Sequence, residues 1–158
     1  MKKRYCIIVF SILAVCFQCK AQKDITEDPE IYLNHIAFFV SDLEKSTSFY
    51  KDILKLKQMP EPFKDGRHTW FTLGAAGQIH LIQSVDNEIR RNKHDHVCFS
   101  VPSIDDFVSR LNANSISFVN WTGDPQAITT RVDGIRQVFF QDPDGHWIEV
   151  NDDFPEKK

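Results

Sequence analysis

Residues 139–150 read FFQDPDGHWIEV and contain two strand-like runs joined by a tight turn. Aromatic and β-branched residues dominate both runs, and such residues favour strands. The Asp-Pro-Asp-Gly segment between the runs is typical of a turn, because proline and glycine suit backbone conformations that a strand does not use. The stretch therefore predicts a hairpin with Glu149 inside its second strand.

The same pattern occurs earlier in the chain. The spacing of six residues between Phe139 and Gly145 is also found between residues 71 and 77, where another predicted hairpin lies. The strands that open each copy repeat as well. His35 is followed five and eight residues later by apolar residues, and so is His96: Val40 and Leu43 in the first copy, Val101 and Ile104 in the second. An internal repeat at this scale predicts two structural modules of one type.

Each copy is predicted to contain a strand, a helix and three further strands. The first has strands at 31–40, 56–59, 67–73 and 78–84 with a helix at 42–54 capped by Asp42, and the second has strands at 95–101, 117–119, 135–141 and 146–151 with a helix at 103–113. We therefore predict an α+β fold with one domain at 32–152, made of two βαβββ modules at 32–85 and 94–152. The loop from Asn120 to Gly134 is left over, and we expect it to cover a substrate.

The N-terminal region has the layout of an export signal. Lys2, Lys3 and Arg4 precede an apolar stretch at 6–17, which is too short to cross a bilayer as a helix. We predict a signal peptide at 1–22, a flexible lead-in at 23–31, and a periplasmic or secreted product. A lipoprotein is the alternative, with Cys16 or Cys19 as the acylated residue and the membrane as partner only in that case.

The charge balance excludes some partners. Removing the predicted signal takes away four of the 19 basic side chains and no acidic one, which leaves about 15 against 22 acidic, a net charge of about −7. An acidic surface repels nucleic acid and anionic membranes, which argues against both as partners. The cysteines give no disulfide framework, since Cys98 is alone outside the signal and is expected to be a small buried apolar residue.

Four side chains of ligand type occupy the first and last strand of the two copies: His35, His80, His96 and Glu149. Strand alternation puts apolar neighbours on the other face of each strand, so these polar residues are expected to share one side of a sheet. A Glu between Ile148 and Val150 is costly to bury without a cation or hydrogen-bond donors. Nitrogen and oxygen donors of this kind suit Zn, Ni, Mn or Fe(II).

Taken singly, each histidine would more often be structural and the Glu would more often face solvent. It is the placement of all four at matching points of the repeat that favours a metal centre. His68, His94 and His146 do not follow this pattern, and we predict that they are not ligands.

Two segments carry a resemblance to a known family. The opening segment NHIAFFVSDL at 34–43, followed by Phe49-Tyr50 and Ile53-Leu54, and the closing hairpin at 139–149 resemble the vicinal oxygen chelate superfamily, which includes glyoxalase I, methylmalonyl-CoA epimerase, fosfomycin and bleomycin resistance proteins and extradiol dioxygenases. The resemblance implies one cupped, eight-stranded mixed sheet around a single divalent metal ion, commonly completed by pairing in a homodimer. It also implies the ligands His35, His80, His96 and Glu149.

The resemblance implies a glyoxalase-like or epimerase-like lyase or isomerase, in which the metal chelates neighbouring substrate oxygens and stabilises an enediolate. Glu149 is then the expected base, as the single carboxylate of the set. Arg67, Arg131, Arg136 and Trp121 are candidates for substrate binding. Two alternatives stay open: an extradiol-type dioxygenase with an Fe(II) triad of His35, His96 and Glu149, and a non-catalytic binder like the bleomycin resistance proteins.

Overall fold

The computed structural model describes residues 31–84 and 91–155, and its compact body begins at Leu33. The predicted signal peptide, its cysteines and nearly all of the predicted lead-in lie outside the described residues. Within the described segments, no helix is long and apolar enough to span a membrane.

Both predicted modules are present. The first consists of β1 (His35–Val40), α1 (Leu43–Asp52), β2 (Lys57–Met59), β3 (His68–Thr72) and β4 (Gln78–Gln83). The second consists of β5 (His96–Ser100), α2 (Ile104–Ala113), β6 (Phe118–Val119), β7 (Thr129–Thr130), β8 (Arg136–Gln141) and β9 (Trp147–Asn151). All eight predicted strands and both helices are found, which confirms the α+β class. β7 was not predicted; it is a two-residue strand in the predicted cover loop, paired with β8.

The strands form one mixed sheet per module. The order in the first sheet is β1-β4-β3-β2, and the order in the second is β5-β9-β8-β6 with β7 beside β8. β1 runs parallel to β4 and β5 runs parallel to β9, while the other pairs are antiparallel. Among the described strands, β1 and β5 each have one partner, so each lies at an edge of its sheet. A single eight-stranded cup therefore needs these two edges to be joined.

Local side chains explain where the helices begin. The Asp42 side chain accepts a hydrogen bond from the Lys45 backbone N–H at 3.0 Å, as predicted for an N-cap. Ser103 caps α2 in the same way, accepting from Asp106 at 3.2 Å.

The two modules share one hydrophobic core on the helix side of both sheets. Helix α1 contacts both sheets: the Tyr50 ring is 6.1 Å from Phe71 in the first sheet, and the Phe49 ring is 6.2 Å from Phe140 in the second. The buried cluster includes Ile79 and Leu81 of the first module and, from the second, Phe107, Val138, Ile148 and Val150. Since alternate residues of a strand point to opposite faces, the predicted ligands lie on the face away from this core.

The predicted turn at 142–145 fastens the second module to α1. Tyr50 donates from its hydroxyl to Asp142 at 2.9 Å, and the same carboxylate holds the His146 ring at 2.8 Å and its backbone N–H at 2.8 Å. Burial, and then the charge of Asp142, raises the pKa of Tyr50 above its usual value. His146 therefore belongs to a structural hydrogen-bond network.

Asp144 makes a second connection between the modules. Its carboxylate accepts from the Ser41 backbone N–H at 2.8 Å, from the Ser41 hydroxyl at 2.6 Å and from the Ser46 hydroxyl at 2.8 Å. Partial burial acts to raise the pKa of Asp144, but these hydrogen bonds outweigh it and lower the pKa below its ordinary value. The ionised carboxylate is therefore the form that joins β1 and α1 to the turn.

Gly77 brings the end of the first hairpin against the start of β1. Its φ is +116°, and a Cβ at this position would lie 2.8 Å from the backbone oxygen of Asn34. Only glycine allows this close approach, which places β4 beside the residue that precedes His35.

Candidate metal centre

One half of the predicted centre lies in the second sheet. His96 on β5 and Glu149 on the neighbouring β9 bring His96 Nε2 within 3.1 Å of Glu149 Oε2. Glu149 is 8% exposed, and its side chain lies on the face of the sheet opposite the core. We call this pair half-site B.

The protonation of His96 is fixed by its other ring nitrogen. His96 Nδ1 is 2.7 Å from the backbone carbonyl oxygen of Lys93, which can only accept a hydrogen bond. Nδ1 must therefore be the protonated nitrogen. In the neutral ring this leaves Nε2 with a lone pair that faces a carboxylate oxygen, so either a proton on Nε2 or a metal ion between the two atoms is needed to avoid repulsion.

A metal ion fits this geometry. With bonds of about 2.0–2.2 Å to nitrogen and oxygen, two ligands at a right angle are about 3 Å apart. The observed 3.1 Å between His96 Nε2 and Glu149 Oε2 matches this separation. A ligand histidine in proteins usually donates its second N–H to a carbonyl or carboxylate, as His96 does to Lys93.

The remaining oxygen of Glu149 has its own partner. Asn151 donates from Nδ2 to Glu149 Oε1 at 3.2 Å and to Cys98 Sγ at 3.2 Å. Partial burial, followed by the negative charge of Glu149, raises the pKa of the Cys98 thiol to about 12. The prediction that Cys98 is a buried apolar residue is wrong, because its side chain is exposed on the ligand face, opposite Glu149 in the strand register. It is a neutral thiol there, since Glu149 disfavours the thiolate.

The other half of the centre lies in the first sheet. His35 on β1 and His80 on β4 stack with ring centroids 4.2 Å apart and planes inclined by 11°. His35 Nδ1 is 2.8 Å from Asn34 Oδ1, and His80 Nε2 is 2.7 Å from Gln78 Oε1. Each ring thus has one nitrogen held by an amide oxygen and a second one available as a ligand. We call this pair half-site A.

Aromatic packing holds His80 in place. The Trp70 ring stacks on His80 at 3.9 Å with planes 1° apart, so His80 lies between Trp70 and His35. Burial, and then the charges of His35 and His68, lowers the pKa of His80 below its ordinary value. The neutral ring is the form that binds a metal.

The structure brings the four predicted ligands together as two pairs and does not bring all four together in one chain. Across residues 31–84 and 91–155, no group of three or more histidine, cysteine or acidic side chains is arranged to hold a metal ion. Each half-site supplies only two ligands, whereas metal sites in proteins usually have three or four protein ligands. The four-ligand centre therefore stays a prediction that needs a second chain to supply the missing half.

The three predicted substrate-binding arginines have acidic partners. Arg67 pairs with Asp65 at 3.3 Å and Arg131 pairs with Asp133, both at exposed positions. Arg136 makes two hydrogen bonds to Asp105 in the first turn of α2, at 2.7 and 2.8 Å.

The position of Arg136 corrects its predicted role. Val138 and Phe140, its neighbours on the same face of β8, are buried in the core, so Arg136 points to the helix side of the sheet. That is the face opposite Glu149, so the role predicted for Arg136 in substrate binding is not supported in its own chain.

Trp121 lies close to half-site B. Its ring is 5.8 Å from Phe139, and Phe139 is 5.4 Å from the His96 ring. The Lys93 ammonium donates to the backbone oxygen of Trp121 and lies 5.4 Å from the centre of the Phe139 ring. Lys93 therefore links the predicted cover loop to His96, a role that no sequence pattern indicated.

Residues 32–150 match the model of the Glyoxalase/Bleomycin resistance protein/Dioxygenase superfamily. The chain is 30% identical over 125 residues to the metallothiol transferase FosB of Staphylococcus saprophyticus, covering 75% of each chain.

Solved structures show the same fold. The fosfomycin resistance protein FosX of Listeria monocytogenes aligns with a TM-score of 0.62 at 23% identity, over 79% of this chain and 95% of FosX. The lactoylglutathione lyase of Agrobacterium tumefaciens aligns with a TM-score of 0.60 at 19% identity, over 80% of this chain and 96% of that protein.

Proposed function

The chain belongs to the Glyoxalase/Bleomycin resistance protein/Dioxygenase superfamily, and on this premise we propose that it is a metal-dependent enzyme whose centre is assembled from two copies of the chain. His35 and His80 of one copy and His96 and Glu149 of the other are the proposed ligands. The substrate is a small molecule that offers two neighbouring oxygens.

A single observation carries the metal proposal. His96 Nε2 and Glu149 Oε2 are 3.1 Å apart, and the other ring nitrogen, Nδ1, donates its proton to the backbone carbonyl of Lys93. Two lone pairs at this distance repel unless a cation lies between them. A proton alone would remove the repulsion between His96 and Glu149. A metal ion is favoured because half-site A places a second pair of ligand-type side chains on the equivalent strands of the other module.

The second copy is proposed because each half-site is incomplete and lies beside an open sheet edge. β1 carries His35 and β5 carries His96, and each of these strands is bonded on one side only among the described strands. Both half-sites lie on the face of their sheet away from the core that the modules share. Joining β1 of one copy to β5 of another would give the predicted cup and two equivalent centres per dimer.

A bound divalent ion would supply Lewis-acid chemistry, polarising two neighbouring oxygens of the substrate and making an adjacent C–H more acidic. Glu149 is the proposed base. Since Asn151 occupies Oε1, Oε2 is the oxygen left for both roles, and it would have to leave the metal before it took the proton. Histidines bind metal ions as neutral imidazoles, so of the four proposed ligands only Glu149 would bring a negative charge, and a divalent ion would keep a net positive charge.

The proposed reaction is of the glyoxalase or epimerase type. Its support is the pairing of His80 with His35, which adds a fourth ligand to a centre that would otherwise have three. A second candidate is metal-dependent thiol transfer, favoured by the 30% identity with the metallothiol transferase FosB. Export, which we propose from the N-terminal sequence, argues against a glutathione hemithioacetal as the substrate, because glutathione is mainly intracellular.

Metal content tests the proposal. Protein purified without added ions, then supplied with Zn, Ni, Mn or Fe(II), should retain about one ion per chain, since a dimer has two centres. The His80→Ala variant should lose most of the bound metal. His94→Ala is the matched control and should keep it, because His94 contacts the edge of the Trp121 ring and is not a proposed ligand.

The outcomes separate the candidates. A wild-type chain that retains none of the four metals contradicts the proposal. If His80→Ala keeps its full metal content, three ligands suffice, and thiol transfer or an Fe(II) dioxygenase becomes the better reading. Turnover then decides between them: isomerisation of a 2-oxoaldehyde thiol adduct, loss of a free thiol in the presence of fosfomycin, or oxygen uptake with a catechol.

A further inference from the structure

Asn151 has a buried side chain whose every polar atom is used beside Glu149. It is 6% exposed and follows Glu149 by two residues on β9, on the same face of the sheet. Its Nδ2 donates to Glu149 Oε1 and to Cys98 Sγ, both at 3.2 Å. Its Oδ1 accepts from the Ser100 hydroxyl and from the Asp153 backbone N–H, both at 3.2 Å.

The partners of Asn151 fix which way its amide points. Asp153 N–H can only donate, and the ionised Glu149 carboxylate can only accept. Exchanging Oδ1 and Nδ2 would therefore place two donors against each other at one end and two acceptors against each other at the other. The amide N–H is held toward Glu149 in a single orientation.

This arrangement makes the two oxygens of Glu149 different. Oε1 receives the Asn151 amide, while Oε2 is left facing His96 at 3.1 Å. We propose that Asn151 is a positioning residue that restricts Glu149 to one metal-binding oxygen, Oε2. The inference rests on the proposed function, because it concerns how the proposed ligand meets the metal.

Ser100 extends the arrangement by one step. Its hydroxyl donates to Asn151 Oδ1 and so holds the amide from the side away from Glu149. Ser100 lies on β5 on the same face as His96, so one strand supplies both the ligand histidine and the group that orients Asn151. Neither Asn151 nor Ser100 is a proposed ligand.

The test compares Asn151→Leu, which keeps the size of the side chain and removes the donor, with the wild-type chain. Mutation of a residue that orients a metal ligand typically lowers metal affinity by about 10–100-fold. The variant should therefore bind Zn or Co(II) about 10–100-fold more weakly in a calorimetric titration. The visible spectrum of the Co(II) form should also change, because a freed Oε1 alters the coordination geometry.

Asn114→Leu is the matched control. Asn114 also donates from its side-chain amide, to the carbonyl of Arg110 at the end of α2, away from the centre. It should change metal affinity less than about twofold. Ser100→Ala provides a second variant if Asn151→Leu fails to fold, with an expected weakening of a few-fold at an exposed position.

A folded Asn151→Leu protein with wild-type affinity and an unchanged Co(II) spectrum would overturn the inference. If only Ser100→Ala can be made, wild-type affinity in that variant would do so. A wild-type chain that binds no metal would instead contradict the proposed function, so the two failures can be told apart.

Discussion

Half-site A and half-site B occupy equivalent strands of the two modules and yet have different chemistry. In half-site A, two histidines stack on each other and on Trp70, and an amide oxygen holds one nitrogen of each ring. In half-site B, a histidine faces a carboxylate, whose other oxygen is held by Asn151. The internal repeat fixes the positions, whereas the residues at those positions give a neutral half and an anionic half.

The difference indicates that the two half-sites would have different roles in the proposed centre. The neutral half can offer lone pairs without charge, since burial lowers the pKa of His80. The anionic half supplies the single negative charge and the proposed base. Substitutions in half-site B should therefore lower metal affinity more than substitutions in half-site A.

The largest effect is expected for Glu149→Gln. This change removes the single negative charge among the four ligands and keeps the shape of the side chain. Metal affinity should therefore fall by about 100-fold or more, which exceeds the loss expected for a residue that only orients a ligand. Calorimetric titration with Zn measures it beside His80→Ala, which should lose less. Glu61→Gln is the control, since Glu61 only accepts from the backbone of Phe63 and Lys64. Equal losses in both half-sites would contradict the comparison.

A smaller effect is expected at the junction of the two modules. Asp144→Asn replaces the carboxylate that receives Ser41 and Ser46, and the free energy of unfolding at pH 7 should fall by about 1–3 kcal/mol. Because the folded pKa of Asp144 is lowered, its stabilisation is present above the unfolded pKa of about 3.9 and is lost as the pH falls through the folded value.

Urea denaturation across pH 3–8 tests this prediction. The wild-type and Asp144→Asn curves should differ most near neutral pH and approach each other at the acidic end. Asp133→Asn, which removes an exposed partner of Arg131, should change stability by less than about 1 kcal/mol. A difference between wild type and Asp144→Asn that does not depend on pH would rule out the ionised form as the stabilising one.

The smallest effect concerns Cys98, which lies beside Glu149 in half-site B and is not a proposed ligand. With a thiol pKa of about 12, little thiolate is present at pH 8, so alkylation of Cys98 by iodoacetamide should be slow in the folded protein and fast in urea. Glu149→Gln should speed the reaction, because the charge of Glu149 contributes to the raised pKa. Mass spectrometry of the Cys98 peptide measures the rate. Equal rates with and without urea would contradict the raised pKa.

The fold was predictable because its signals are local. Strand and helix patterns, the caps at Asp42 and Ser103 and the repeat of two hairpins all depend on residues close in sequence, and the structure has them within a few positions. The two-residue strand β7 was missed because so short a segment has no periodicity of its own; it pairs with β8 only through tertiary contact.

The candidate site was only partly predictable. The repeat indicated which four residues to pair, but the supporting contacts of Asn151, Lys93 and Trp70 depend on strand register and ring orientation. The arginines show the opposite failure. Asp65 and Asp133 lie two residues from Arg67 and Arg131, and these short ion pairs could have been anticipated from the sequence. Arg136 is turned to the helix side by the strand alternation that buries Val138.

A mixing experiment tests the shared centre most directly. His80→Ala damages only half-site A and Glu149→Gln only half-site B, so each variant alone should bind no more than a small fraction of the wild-type metal. If each centre combines half-sites from two copies, unfolding and refolding the variants together should restore one intact centre in every mixed dimer, about a quarter of the wild-type metal content. If mixing restores no more than the sum of the separate variants, the proposed two-copy centre is contradicted.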